Sequence, residues 1–301
     1  MSKIAIVTVL YNSVSVLPEF FQSLDSQTRR DFALYVVDNA SPDDSLVLVN
    51  RLAQSVDFHV ICIENSSNSG IAGGNNLGID AARQDGCEWI LLTNNDTVWT
   101  PDTFEVLLEQ ACRCGAKIAV PKIKTHGTDR IWYAGGRWNR FRGGTMHVKK
   151  DRTACAAPTA YAPTCCMLIH HTVFARIGGM DERFFLYYDD SDFVRRAADA
   201  AIPVWYVPQA VVSHKESVST GAVSPLAQYW LSRNLLLFTY KHHSKLYWCY
   251  VLAVHLLILC TKRLLTFGRA EWRASRRGFR DGLRACRAKQ PAHTLEKAWK
   301  G

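Results

Sequence analysis

The sequence predicts an α/β fold, a mostly parallel, twisted sheet flanked by helices. Two observations predict it. Short runs of β-branched residues alternate with amphipathic stretches from Ile4 to about Pro121, the pattern of strands joined through helices. Polar loops follow four of those strands, and in such sheets ligands gather at the carboxyl ends of the strands.

The elements follow in chain order. Ile4 to Leu10 reads as a buried strand, followed by a helical pattern from about Val16 to Gln27. Phe32 to Val37 is the second strand. In Ser41-Pro42-Asp43-Asp44, a cap, a proline at the first helical position and acids in the first turn predict a helix running toward Gln54. Phe58 to Ile63 is the third strand. Asn68-Ser-Gly-Ile-Ala-Gly-Gly-Asn-Asn76 then reads as a small, polar, glycine-rich loop feeding a helix over Gly74 to Asp85. Trp89 to Thr93 is the fourth strand, Thr103 to Cys114 a helix, and Ile118 to Pro121 the fifth strand.

Composition narrows the function classes. With 301 residues, 48% hydrophobic and 21% charged, the chain is globular in composition and long enough to build a core without disulfides. The formal charge of +9 is unevenly spread: residues from Lys241 onward hold 14 basic and 3 acidic residues, net +11, leaving net −2 before them. Basicity confined to a tail argues against a nucleic-acid partner. The ten cysteines form no Cys-x-x-Cys pair and several sit in apolar runs, as Cys62 does within His59 to Ile63. They read as reduced core residues rather than a zinc site. The amino-terminal apolar run is too short for a signal peptide, which predicts cytoplasmic residence.

Strand one ends in Thr8-Val-Leu-Tyr-Asn12, strand two in Asp38-Asn39-Ala40-Ser41, and strand four in Thr93-Asn94-Asn95-Asp96. Each loop alone is explained by turn chemistry, but four on one sheet edge point to a ligand site. Neither Gly-x-Gly-x-x-Gly after the first strand nor a Walker loop is present, so dinucleotide and P-loop binding lack their signatures.

In this order the set resembles the family 2 glycosyltransferases of GT-A fold. The resemblance rests on Val7-Thr-Val-Leu-Tyr-Asn12, Val36-Val-Asp-Asn-Ala-Ser41, the Asn68 to Gly78 stretch, Leu91-Leu-Thr-Asn-Asn-Asp-Thr97 and Gly178-Gly-Met-Asp-Glu-Arg-Phe-Phe-Leu-Tyr-Tyr-Asp-Asp-Ser-Asp192. It spans about Lys3 to His214 and is nearest the bacterial rhamnosyltransferase and galactofuranosyltransferase branch, which Gln228-Tyr-Trp-Leu-Ser-Arg-Asn-Leu-Leu-Leu-Phe238 also resembles.

The resemblance implies a nucleotide-diphosphate-sugar donor and a divalent cation, Mg²⁺ or Mn²⁺. Asp96 matches the last position of the family's Asp-x-Asp-like motif, and His214 a histidine that ligates metal in relatives. Asn94 and Asn95 stand where carboxylates would be, leaving one at this strand end. Asp38 matches the carboxylate that accepts from the pyrimidine N3–H. Thr8, Tyr11 and Asn12 would flank base and ribose, with Asn39, Asn68, Gly70, Asn75 and Asn95 also in the nucleotide-sugar site. Asp190 matches the family's base, and Asp189 a neighbouring acid.

The residues themselves say part of this independently. Acids in a first helical turn favour the helix dipole, but Asp189, Asp190 and Asp192 exceed what a cap requires. Crowded like charges raise at least one pKa toward a useful value for a base, while Asp192 serves to cap or position. For the glycosyl transfer that the resemblance implies, direct displacement by one such base inverts the anomeric centre.

Leu246 to Cys260 is a 15-residue run without formal charge, below the roughly 18 of a spanning helix. It is followed by Lys262, Arg263, Arg269, Arg273, Arg276, Arg277, Arg280, Arg284 and Arg287. That pattern predicts a C-terminal helical, basic segment lying peripherally on an anionic membrane; a core helix beside a solvated basic helix, and a helix inserted in the membrane, are the alternatives. The expected organisation is a GT-A catalytic domain over 1–225 and a membrane- and acceptor-associated region over 226–301. The expected activity is inverting, metal-dependent transfer of L-rhamnose from dTDP-L-rhamnose to a lipid-linked cell-surface glycan at the inner face of the membrane. A UDP-sugar-dependent galactofuranosyl or other hexosyltransferase, and a membrane-bound scaffold with a degenerate glycosyltransferase fold, are the alternatives.

Overall fold

The computed structural model describes residues 4–215, 224–265 and 269–287. The chain lays down β1 (Ile4–Leu10), α1 (Leu17–Asp25), β2 (Phe32–Asp38), α2 (Ser45–Leu52), β3 (His59–Glu64), α3 (Gly70–Gln84) and β4 (Trp89–Thr93). A short β5 (Thr97–Trp99) precedes α4 (Thr103–Arg113) and β6 (Ile118–Thr125). Next come β7 (Ile131–Tyr133), β8 (Gly136–Asn139), β9 (Gly144–His147), β10 (Ala157–Thr159) and β11 (Cys166–His170). Helices α5 (His171–Ile177) and α6 (Asp189–Asp199) lead to β12 (Val204–His214), followed by α7 (Pro225–His242), α8 (Lys245–Leu265) and α9 (Arg269–Ala285).

The main sheet runs β10-β12-β6-β11-β4-β1-β2-β3. Strands β3, β2, β1 and β4 are parallel, as the sequence predicts, and β6 is parallel to β12. Between these parallel halves β11 runs antiparallel to both β4 and β6. Strands β2 and β4 bury every residue. Because side chains alternate between the two faces of a strand, this burial means both faces of the sheet are covered, which is why these strands read as unbroken apolar runs.

Three details depart from the sequence reading. The helix expected at Ser41 starts at Ser45, because the Asp43 carboxylate accepts from the Ser45 amide and hydroxyl at 3.3 and 2.5 Å while the Ser41 amide turns back to Asp38. The glycine-rich stretch is helix rather than loop, α3 beginning at Gly70. Glycine there serves packing: a Cβ on Gly74 would lie 2.6 Å from Val9 Cγ1, so α3 rests directly on β1. Cys62, on edge strand β3, is exposed, and so are Cys112, Cys155, Cys249 and Cys260 elsewhere in the chain, whereas Cys87, Cys165 and Cys166 are buried.

Helix α7 is stitched to the segment before α6. Asn234 Nδ2 donates to the carbonyls of Leu186 and Tyr187, and Arg233 donates to that of Arg183. The apolar run lies in α8, whose outward residues Leu246, Cys249, Tyr250, Ala253, Leu256, Leu257 and Cys260 recur at helical spacing. Helix α9 exposes Arg273, Arg276, Arg280 and Arg284 at the same spacing. The side chains of Lys262, Arg263 and Arg269, and residues 288–301 of the basic tail, lie outside the described residues. Among the described residues no helix is long and apolar enough to cross a membrane.

Candidate active site

Because β1 to β4 are parallel, the polar loops of the sequence meet at one edge. Asn39, 2% exposed, is the hub. Its Nδ2 donates to Asn68 Oδ1 and the Gly70 carbonyl, each at 3.0 Å, and its Oδ1 accepts from Asn65 Nδ2 and from Ser69. Asn95 Nδ2 donates to the Val9 carbonyl at 2.7 Å and to Ser13 Oγ at 3.1 Å. The amides of Asn39, Asn68 and Asn95 therefore fix the loops to one another. Gly70, at φ +75°, sits against Phe185, whose carbonyl its Cβ would meet at 2.3 Å. Asn75 is buried within α3.

Other expected residues face the edge itself. Thr8 is fully buried and its hydroxyl has no hydrogen-bond partner. Asp38 Oδ1 accepts from the Ser41 amide. Tyr11 is half-buried and Asn12 exposed. Asn12, Ala40, Tyr187 and Tyr188 all hold φ between +56° and +67°, a strained conformation for non-glycine residues that clusters at functional loops.

The antiparallel pairing of β5 with β12 sets His214 opposite Thr97, and so beside Asp96. His214 Nε2 lies 3.1 Å from Asp96 Oδ1. The contact lacks hydrogen-bond geometry: Asp96 Oδ1 and His214 Nδ1 are both buried without a hydrogen-bond partner.

The second carboxylate group opens α6. Tyr161 donates its hydroxyl to Asp190 Oδ2 at 2.5 Å, and the Ser191 amide and hydroxyl donate to Asp190 Oδ1. Thr164 Oγ1 donates to Asp189 Oδ2 at 3.2 Å. Burial, and then the Asp190 charge, pushes the Asp189 carboxyl up to about 8. Burial also raises Asp190, against the hydrogen bonds from Tyr161 and Ser191. Burial and the Asp190 charge push the Tyr161 phenol well above its ordinary value, so it stays a donor. Of the two, Asp189 holds its proton the more tightly, because the hydrogen bonds from Tyr161 and Ser191 favour the ionised form of Asp190.

Asp192 stands apart from this chemistry. It is fully buried and bound by Arg196 Nε at 2.8 Å, Lys241 Nζ at 2.6 Å and His242 Nε2 at 2.7 Å. Burial pushes its carboxyl up, but the His242 hydrogen bond and the Arg196 and Lys241 charges prevail and hold it below its ordinary value. This cluster fastens α7 to α6, the positioning role the sequence suggests for Asp192.

The two carboxylate groups are close neighbours. Thr164, bonded to Asp189, is followed by Cys165, whose carbonyl accepts from the Asn94 amide at 3.0 Å and Thr93 Oγ1 at 3.1 Å. One short segment therefore joins the strand end that carries Asp96 to the helix start that carries Asp189 and Asp190. Tyr161 and Thr164 escape sequence reading because they lie in a stretch without motif or period. Lys241 and His242 are distant in sequence from the aspartate they hold.

The family model described as Glycosyl transferase family 2 matches residues 5–178. An N-acetylglucosaminyl-diphospho-decaprenol L-rhamnosyltransferase of Mycobacterium tuberculosis is 26% identical over 241 residues, which cover 72% of this chain and 77% of the relative. The dTDP-rhamnosyl transferase RfbF of Shigella flexneri is 26% identical over 220 residues, covering 70% and 72%. Among solved structures, S. aureus TarS 1–349 in complex with UDP-GlcNAc has a TM-score of 0.60 at 15% identity, covering 94% of this chain and 81% of that one. That likeness is one of fold.

Proposed function

This chain belongs to glycosyl transferase family 2, and from that premise we propose that it is an inverting, divalent-cation-dependent transferase moving L-rhamnose from dTDP-L-rhamnose to a lipid-linked saccharide. The observation that carries the reading is the Thr164-Cys165 bridge, with Asp96 and His214 on one side of it and Asp189 and Asp190 on the other. Displacement at an anomeric carbon needs charge neutralised at the leaving diphosphate and a proton accepted from the attacking hydroxyl. The two groups divide those tasks.

The residues fit a cation. A buried carboxylate oxygen without a hydrogen bond, 3.1 Å from an imidazole nitrogen, is a donor set suited to Mn²⁺ or Mg²⁺. Among the described residues no group of three or more His, Cys, Asp or Glu side chains could hold a metal, so diphosphate and water oxygens would complete the shell. When bound, the cation acts as a Lewis acid on the leaving diphosphate.

Asp190, held by Tyr161 and Ser191, accepts the proton of the acceptor hydroxyl. Asp189, retaining its own proton, leaves the negative charge on Asp190. The hydroxyl attacks the anomeric carbon directly, so the centre inverts without a covalent intermediate. Asp38, Tyr11 and Asn12 would receive base and ribose. The rhamnosyl donor is supported by the two relatives named for rhamnosyl transfer.

The proposed location is peripheral, at the cytoplasmic face of an anionic membrane. The apolar outward residues of α8 and the arginine stripe of α9 support it, as an apolar helix face beside cations suits such an interface. A thermal-shift screen of nucleotide sugars with Mn²⁺ tests the donor, because bound ligand stabilises the fold by mass action. The largest shift is expected with dTDP-L-rhamnose. Shifts with UDP-hexoses but not with dTDP-L-rhamnose would reject the donor and leave the family intact.

A further inference from the structure

A cavity of about 600 Å³ opens beside Asp190, within the size range of ligand pockets. One wall carries Asp190 with its partners Tyr161 and Ser191. The exposed Arg142 also lines it and makes no ion pair among the described residues. The opposite wall is mainly aliphatic, with Leu231 and Leu235 from α7 and Val251, Val254, Ile258 and Leu259 from α8, and its polar Ser232 and His255 are hydrogen-bonded to each other.

Helix α8 is thus apolar on two faces, toward this cavity and outward through Leu246, Tyr250 and Leu257. Aliphatic surface on both sides of a helix belongs in a packed core or against lipid. Packed cores leave few voids larger than a water molecule, and here the inner face borders a far larger space. A mainly aliphatic wall, an exposed guanidinium and a proton-accepting carboxylate around one cavity match three parts of one molecule in turn: an alkyl chain, a phosphate and a sugar hydroxyl. The outer face of α8 gives the same chemistry on the side from which a lipid would come.

We propose that this cavity binds the apolar chain and adjoining phosphate of the lipid-linked saccharide, with Arg142 meeting the phosphate and the sugar hydroxyl presented to Asp190. The proposal rests on the transferase reading above and adds where, and through what chemistry, the acceptor is held. It also explains why α7 and α8 border the catalytic carboxylate: they make the chain-binding half of the acceptor site.

The test uses the full chain and decyl phosphate, followed by calorimetry, with inorganic phosphate and decyl maltoside as controls. Decyl phosphate is expected to bind and inorganic phosphate not to. Val254→Trp, which fills the apolar wall, and Arg142→Glu, which reverses the exposed charge, should each weaken that binding roughly tenfold or more. The thermal shift given by dTDP should persist in both variants, marking them as folded. With a lipid-bearing acceptor and the same saccharide freed of its chain, the wild type should prefer the former and Val254→Trp should lose the preference. No binding of decyl phosphate, equal binding by wild type and both variants, or binding of decyl maltoside as tight as decyl phosphate would overturn the proposal. Variant-sensitive binding in a protein that transfers no sugar would support the cavity and contradict the transferase reading.

Discussion

His214 Nε2 stands 3.1 Å from Asp96 Oδ1 in a contact that is not a hydrogen bond. The pairing of β12 with β5 fixes this approach through the backbone, setting His214 opposite Thr97. A buried acceptor without a donor costs about 1–3 kcal/mol, so the arrangement makes physical sense as half of a cation site.

Asp96→Ala should therefore abolish cation-dependent turnover, and His214→Ala should raise the Mn²⁺ concentration needed for half-maximal rate. Turnover across a Mn²⁺ titration, with chelator as the zero point, measures both. Wild-type rates for both variants in chelator would remove the site.

Asp189 has a pH signature in stability. Its folded carboxyl sits at about 8, above the unfolded value of about 4. Between those values the folded state binds more protons, so this group makes stability fall as pH rises. Asp189→Asn keeps the neutral shape, and its gain in Tm over the wild type should grow from pH 5 to pH 8. A difference independent of pH would mean that Asp189 is ionised in the native protein.

The Asp192 cluster should behave oppositely. Its carboxyl is held low, so the stability it contributes is present above its unfolded pKa and lost as pH falls through the folded one. Asp192→Asn removes the carboxylate charge that Arg196, Lys241 and His242 share, leaving Lys241 with Asp181 alone, and should cost about 3 kcal/mol at pH 7. Urea unfolding at pH 7 and pH 3 checks it, with the smaller loss expected at pH 3.

Membrane docking is tested on the exposed face of α9. Each cation near an anionic surface contributes about 1 kcal/mol. Changing Arg273, Arg276 and Arg280 to Glu should release the protein from phosphatidylserine-containing vesicles while leaving dTDP affinity unchanged. Full sedimentation of the triple variant with vesicles would assign the stripe another role.

The four parallel strands were legible because burial on both faces writes each as a continuous apolar run, and the loops after them because their polar residues recur at one edge. Short strands such as β7 and β10, three residues each, carry no period, which hid Tyr161 and Thr164 with them. The Gly70 to Gly74 segment has loop composition, yet contact with β1 makes it helix, packing overriding propensity. Asp96 and Asp190 could be named from sequence. Their connection through Thr164 and Cys165 could not, since it depends on where β11 inserts between β4 and β6.

The most direct measurement is the behaviour of Asp190→Asn, with kcat for rhamnosyl transfer and dTDP-L-rhamnose affinity determined on the same protein. Loss of the proton acceptor with shape nearly conserved should lower kcat by ~10² or more and leave donor affinity unchanged, with Asp189→Asn the milder variant. Transfer at the wild-type rate by Asp190→Asn, or a larger loss in Asp189→Asn, would contradict the assignment of Asp190 as the base.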